Sequence, residues 1–155
     1  TRIDTKRDFA VTVLPRMIKE RSRHASVYCQ GNIYIIDDIE QPCERYSISA
    51  NEWEALPNLP QPSYGIRLTV LESKDSLFAF GQTNTPHILR FDLKTLTWEV
   101  KEVAFPSINF FERVILFKMG EDLLYLARED GVYAYDPTSN SIEVISKVEL
   151  PGING

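Results

Sequence analysis

The sequence predicts an all-β fold: about three and a half four-stranded antiparallel blades of a partial β-propeller. Three observations carry this. Aromatic residues return in register, with Tyr46, Phe91 and Tyr135 falling 45 and then 44 residues apart. Trp53 is followed 45 residues later by Trp98, and the slot 44 residues beyond holds Ile142. The apolar run Ile33-Tyr34-Ile35-Ile36 comes back as Leu77-Phe78-Ala79-Phe80 and as Leu124-Tyr125-Leu126-Ala127. A fixed period of about 20–50 residues marks an array of supersecondary units. Units of this length are too long for a parallel solenoid and suit four-stranded blades that bury their faces against one another.

The period divides the chain into 1–15, 16–60, 61–105 and 106–155. In the second division, strands are expected over 25–30, 33–36, 43–48 and 52–56, separated by Gly31-Asn32, a loop over 37–42 and a turn at 49–51. The third division repeats this with strands over 66–71, 77–80, 88–93 and 97–103. The fourth gives 114–118, 123–128, 132–136 and 141–146. Nearly continuous apolar runs such as 33–36 belong to strands covered on both faces. The Glu129-Asp130-Gly131 turn is a hairpin signal, because Asp-Gly accepts positive φ. Helical periodicity is absent from every ten-residue window.

The first division reads as the third and fourth strands of a blade. Phe9 precedes Trp53 by 44 residues, and Leu14-Pro15 precedes Leu59-Pro60 by 45. Its two inner strands are expected upstream, and the last blade also needs a neighbour to cover it. The remainder of a propeller, or a neighbouring subunit, is therefore an expected partner.

Composition excludes several function classes. The net charge of −5 opposes nucleic-acid binding, which depends on clustered Lys and Arg. No apolar run approaches the roughly 18 residues of a membrane span. Cys29 and Cys43 form no CxxC and no second pair, so neither a disulfide framework nor a zinc site is expected. His24 and His87 lie in different units, outside any metal-ligand motif. Asp37, Asp38 and Glu40 lack the spacing of a calcium loop. No catalytic residue, metal or cofactor is predicted.

The elements Gly31-Asn32-Ile33-Tyr34-Ile35-Ile36, Glu44-Arg45-Tyr46, Asn51-Glu52-Trp53 and Leu56-Pro57-Asn58-Leu59-Pro60 resemble kelch repeats. In that pattern a glycine pair is followed by a Tyr and, about seven residues later, a Trp. The spacing is seven for Tyr46 to Trp53 and for Phe91 to Trp98. The repeats are degenerate: the glycine pair has become Asp37-Asp38, Gly81-Gln82 and Arg128-Glu129, and the third Trp is Ile142. The Trp-Asp and Gly-His signatures of WD40 repeats, which have a similar period, are missing. Recurrence in register assigns Tyr46, Trp53, Phe91, Trp98 and Tyr135 to packing between blades rather than to a ligand.

Antiparallel connectivity places the loops between second and third strands on one face, together with the connections between blades. These are the longer loops, and long loops on a rigid scaffold usually carry binding. Arg21, Arg23, Tyr64, His87, Phe110 and Phe111 lie on that face and are the candidate contacts, since Arg and aromatic residues dominate interface energetics. The resemblance implies a non-catalytic protein–protein interaction module or scaffold in the cytoplasm, of the cytoskeletal or ubiquitin-ligase-adaptor type. The alternatives it leaves are an enzyme on such a propeller with its site outside this segment, and a carbohydrate binder.

Overall fold

The computed structural model describes residues 2–4, 10–21, 24–37, 42–61, 63–82, 87–104, 114–120 and 122–147. Two short strands, β1 (Arg2–Asp4) and β2 (Ala10–Thr12), pair antiparallel. Three four-stranded antiparallel sheets follow in chain order. The first is β3 (His24–Cys29), β4 (Asn32–Asp37), β5 (Cys43–Ser47) and β6 (Glu52–Leu56). The second is β7 (Tyr64–Leu71), β8 (Ser76–Gln82), β9 (His87–Asp92) and β10 (Thr97–Glu102). The third is β11 (Ile115–Lys118), β12 (Leu124–Arg128), β13 (Gly131–Asp136) and β14 (Ser141–Lys147). A single 3-10 turn at Glu72–Lys74 is the only helical element among the described residues. The first strands β3, β7 and β11 lie beside one another, so the sheets meet along that line.

The continuous apolar run of β8 explains how the sheets join. Successive side chains of a strand point to opposite faces. Leu77 and Ala79 enter one core with Tyr34, Ile36, Leu89 and Phe91. Phe78 and Phe80 enter the other with Leu124, Leu126, Tyr133 and Tyr135. The middle sheet is thus buried on both faces, as the run predicts. The junctions repeat one another. Tyr34 meets Phe91 edge-on at 6.5 Å, and 44 residues on Phe78 meets Tyr135 at 6.1 Å.

The turns between third and fourth strands also repeat. Each spans four residues, 48–51, 93–96 and 137–140, and ends on a left-handed residue, Asn51, Leu96 or Asn140. The residue before each turn caps it: Ser47 Oγ accepts from the Ala50 amide (3.2 Å), Asp92 Oδ1 from Lys94 and Thr95 (2.9 Å each), and Asp136 Oδ1 from Thr138 (2.7 Å). Such side-chain turns are the reason Asp and Ser favour these positions. Backbone amides donated by Thr95 and Lys94 hold the Asp92 carboxyl below its usual range, and Thr138 does the same for Asp136.

The hairpin at 129–130 differs from the expected Asp-Gly turn. Glu129 and Asp130 form the loop without positive φ, while Gly131 begins β13 opposite Arg128. Its φ is +153°, and a Cβ there would lie 2.2 Å from the Ser146 carbonyl oxygen. Close backbone approach, as well as turn chirality, requires this glycine.

Packing of the repeat aromatics is finer than expected. Tyr46, Phe91 and Tyr135 are buried, with burial pushing the Tyr135 phenol up to about 12. Trp53 and Trp98, expected to be buried between blades, are only half-buried, because they stand on the outer strands β6 and β10. Each lies directly across from its aromatic partner, Tyr46 or Phe91, with ring centroids 5.2 and 4.8 Å apart. Each indole reaches back to the preceding strands: Trp53 Nε1 donates to the Pro15 carbonyl (3.0 Å) and Trp98 Nε1 to the Pro57 carbonyl (2.9 Å). In the third sheet Ile142 faces Tyr135, and the link passes to Asn140, whose Nδ2 donates to the Glu102 carbonyl (2.8 Å).

Candidate functional site

Strand β7 starts with a local irregularity that builds a cleft. Gly65 has φ +58°, and the pairing with β8 slips between Tyr64 and Arg67. Tyr64 pairs with Gln82, while Arg67 already pairs with Phe80. A glycine in the left-handed region that takes up an extra residue is a β-bulge, and bulges re-aim the side chains beside them. Gly81 permits it from the other strand, since a Cβ there would sit 3.0 Å from Ser63 Cβ and 3.1 Å from the Tyr64 carbonyl oxygen.

The bulge opens a cleft of about 300 Å³ between the first two sheets, lined by His24, Ile36, Tyr64, Gly65, Ile66 and Arg67. Tyr64 is 56% exposed, and the His24 and Arg67 side chains are also exposed. A second cleft of about 350 Å³ lies on the other side of β7, where Arg67 meets the apolar residues Leu68, Val114, Ile115 and Leu116. Arg67 therefore stands between the two depressions and lines both. Its Nη1 donates to the Gly65 carbonyl at 2.9 Å. That bond ties the guanidinium to the bulge and leaves most of its donors outward.

Of the residues the sequence nominated for this face, Tyr64 lies in the cleft, as the first residue of β7 rather than in the loop before it. Arg21 does not offer its charge to a partner. Its side chain is 1% exposed and paired with the fully buried carboxylate of Glu44 on β5, with Asp37 3.8 Å away. Glu44 also accepts the Ile18 and Lys19 amides at 2.9 and 3.0 Å. The segment 18–21 is thus a strap fastened by a buried acid, and removing either charge would strand the other. His87 is 3% exposed where β9 begins and pairs across to Glu102 on β10, so it is not a surface contact either. Arg23, Phe110 and Phe111 lie outside the described residues, as do Asp38 and Glu40 of the acidic cluster.

His24 and Arg67 are the residues that sequence reasoning passed over. One signal for Arg67 was available: a charged residue inside Ile66-Arg67-Leu68, immediately after a glycine that interrupts the strand. Among the described residues no group of three His, Cys, Asp or Glu side chains could hold a metal ion. No helix there is long and apolar enough to cross a membrane. Cys29 and Cys43 are free and buried, and burial pushes the Cys43 thiol up to about 11.

Fold and cleft together define an all-β protein made of propeller-like four-stranded sheets that meet along their first strands. No family model matches the chain, and no curated protein matches its sequence. Among solved structures it is similar to one described as "Structure of YjhT", with a TM-score of 0.73 at 12% sequence identity. The match covers 91% of this chain and 56% of that one, so the chain spans just over half the length of its structural neighbour. At that identity the likeness concerns the fold alone.

Proposed function

We propose that this chain is a non-catalytic protein–protein interaction module built from degenerate kelch-type blades. It contributes part of a propeller completed by further chain or by a neighbouring subunit. The observation that carries the reading is the asymmetry between the two faces. Among the described residues one face holds short turns, the four-residue ones at 48–51, 93–96 and 137–140 being fixed by their own side-chain caps. The other carries the connections between sheets and the exposed Tyr64 beside a formed cleft. An aromatic with a polar tip on a rigid strand is a good anchor for a partner, since little entropy is lost in ordering it.

The test is affinity capture from a cell extract with the unaltered chain, Tyr64→Ala and Thr138→Ala. A protein held by the unaltered chain and by Thr138→Ala, and released by Tyr64→Ala, is the expected result. Release by Thr138→Ala with retention by Tyr64→Ala would place binding on the face of the tight turns and overturn the reading.

A further inference from the structure

The geometry points to a carboxylate-binding site at Arg67, formed by the two clefts on either side of β7, with His24 and Tyr64 on one side and Ile115 on the other. It deepens the reading above, resting on it for the choice of face, by naming the chemistry that the face accepts.

The placement of Arg67 carries the inference, since its side chain lines both clefts. Arg21, Arg45, Arg90 and Arg128 each pair with a carboxylate. Arg16 and Arg67 pair with none among the described residues, and of these two it is Arg67 that lines the clefts. The guanidinium is oriented by its bond to the Gly65 carbonyl and needs no reorganisation to present a planar fork. A planar fork matches a carboxylate in two parallel hydrogen bonds.

The surroundings narrow the ligand. Tyr64 and His24 supply a phenol and an imidazole on one side of the guanidinium, able to bond a second oxygen or to stack on a planar group. Leu68, Val114, Ile115 and Leu116 supply an apolar wall on the other, and Ile115 is 68% exposed. The site fits a carboxylate carried on a small apolar or planar body. Two sources share that chemistry, a free small acid and an acidic side chain flanked by apolar residues on a partner peptide.

The test is a titration of the whole chain followed by the backbone amide resonances of Ala25, Gly65, Arg67 and Ile115. The probes are benzoate and its neutral isostere benzamide. Benzoate should shift these resonances saturably and benzamide should not. Arg67→Gln should weaken benzoate at least about tenfold, and Arg67→Lys, which keeps the charge but loses the fork, should fall between. Unchanged resonances elsewhere show that a variant is folded; if Arg67→Gln is not, Arg67→Lys alone decides. Equal shifts with both probes, or equal affinity in the variants, would overturn the site.

A capped tripeptide Leu-Glu-Leu, set against Leu-Gln-Leu, separates the sources. Tighter binding of the Glu peptide than of benzoate assigns a peptide ligand, and the reverse assigns a free acid. Benzoate saturation without a captured protein would sink the interaction reading alone. A captured protein released by Tyr64→Ala, with no response to benzoate or the Glu peptide, would sink the carboxylate site alone.

Discussion

Two side chains that never appear as a motif act as a unit in the turns after the third strands. Tyr46 donates its hydroxyl to Asn51 Oδ1 at 2.6 Å, and Tyr135 to Asn140 Oδ1 at 3.0 Å. In the middle sheet both members change together, to Phe91 and Leu96, so neither a hydroxyl nor an amide is left unmatched. Leu96 keeps the left-handed backbone (φ 55°) at which Asn is more at ease. Tyr46→Phe should cost about 0.5–1.5 kcal/mol, the net worth of one hydrogen bond, because the exposed Asn51 amide can turn to water. Tyr46→Phe with Asn51→Leu should cost less than the two single changes added. Urea unfolding of the four proteins measures this coupling, and additivity within about 0.5 kcal/mol would deny it. The Cys43 thiol makes a second residue-scale prediction. Its pKa rises from 9.0 to about 11 in the folded chain, first through burial. A raised folded pKa gives a contribution fully present below the unfolded value and lost as pH climbs through the folded one. Stability should therefore fall by about 2–3 kcal/mol between pH 9 and 11. Cys43→Ala should show a flatter decline over that window, and parallel curves would exclude the thiol as its source.

At the scale of elements, the second and third four-stranded sheets are each tied to the one before by a core and by a side-chain hydrogen bond. The core is the larger contribution: Phe78, Phe80 and Phe91 are almost wholly buried, and losing one to alanine removes about 3–5 kcal/mol. The bond is smaller and more specific. Trp98→Phe keeps a ring against Phe91 but deletes the donor to the Pro57 carbonyl, and should cost about 0.5–1.5 kcal/mol. Trp98→Ala should cost about 1–3 kcal/mol, less than for a fully buried aromatic. Thermal unfolding distinguishes these; equal losses in both variants would mean that the ring contributes nothing. The third sheet shows that the link matters more than the residue supplying it, since Asn140 reaches the Glu102 carbonyl where the indole is missing. Gly81 belongs to this scale too. It admits the bulged start of β7 on which Tyr64 and Arg67 stand.

At the scale of the molecule, the third sheet is the least covered. Residues 143–147 of β14 are exposed without alternation, including Val144 at 47% and Ile145 at 55%, and Met119, just past β11, is 66% exposed. Exposed apolar surface of this kind is covered in a stable assembly, as the proposed propeller requires. Sedimentation equilibrium of the 155-residue chain should give a mass above 17.8 kDa, rising with concentration. A monomer across the micromolar range would count against a missing neighbour.

The strands, their order and their grouping were legible from the sequence because they rest on local rules. Period-two alternation, turn residues and the recurrence of aromatic slots every 44 or 45 residues all act within one unit or repeat between units. The double-sided burial of β8 followed from its unbroken apolar run for the same reason. Burial and partnership of the polar residues were decided by tertiary structure. Nothing near Arg21 in sequence shows that Glu44, 23 residues on, will bury its charge, because the strap reaches that acid only after β5 has paired. His24, Tyr64 and Arg67 converge because β3 and β7 start side by side and Gly65 shifts the register of one of them. Whether a charge is satisfied depends on every group within a few ångströms, and that neighbourhood is assembled from three sheets.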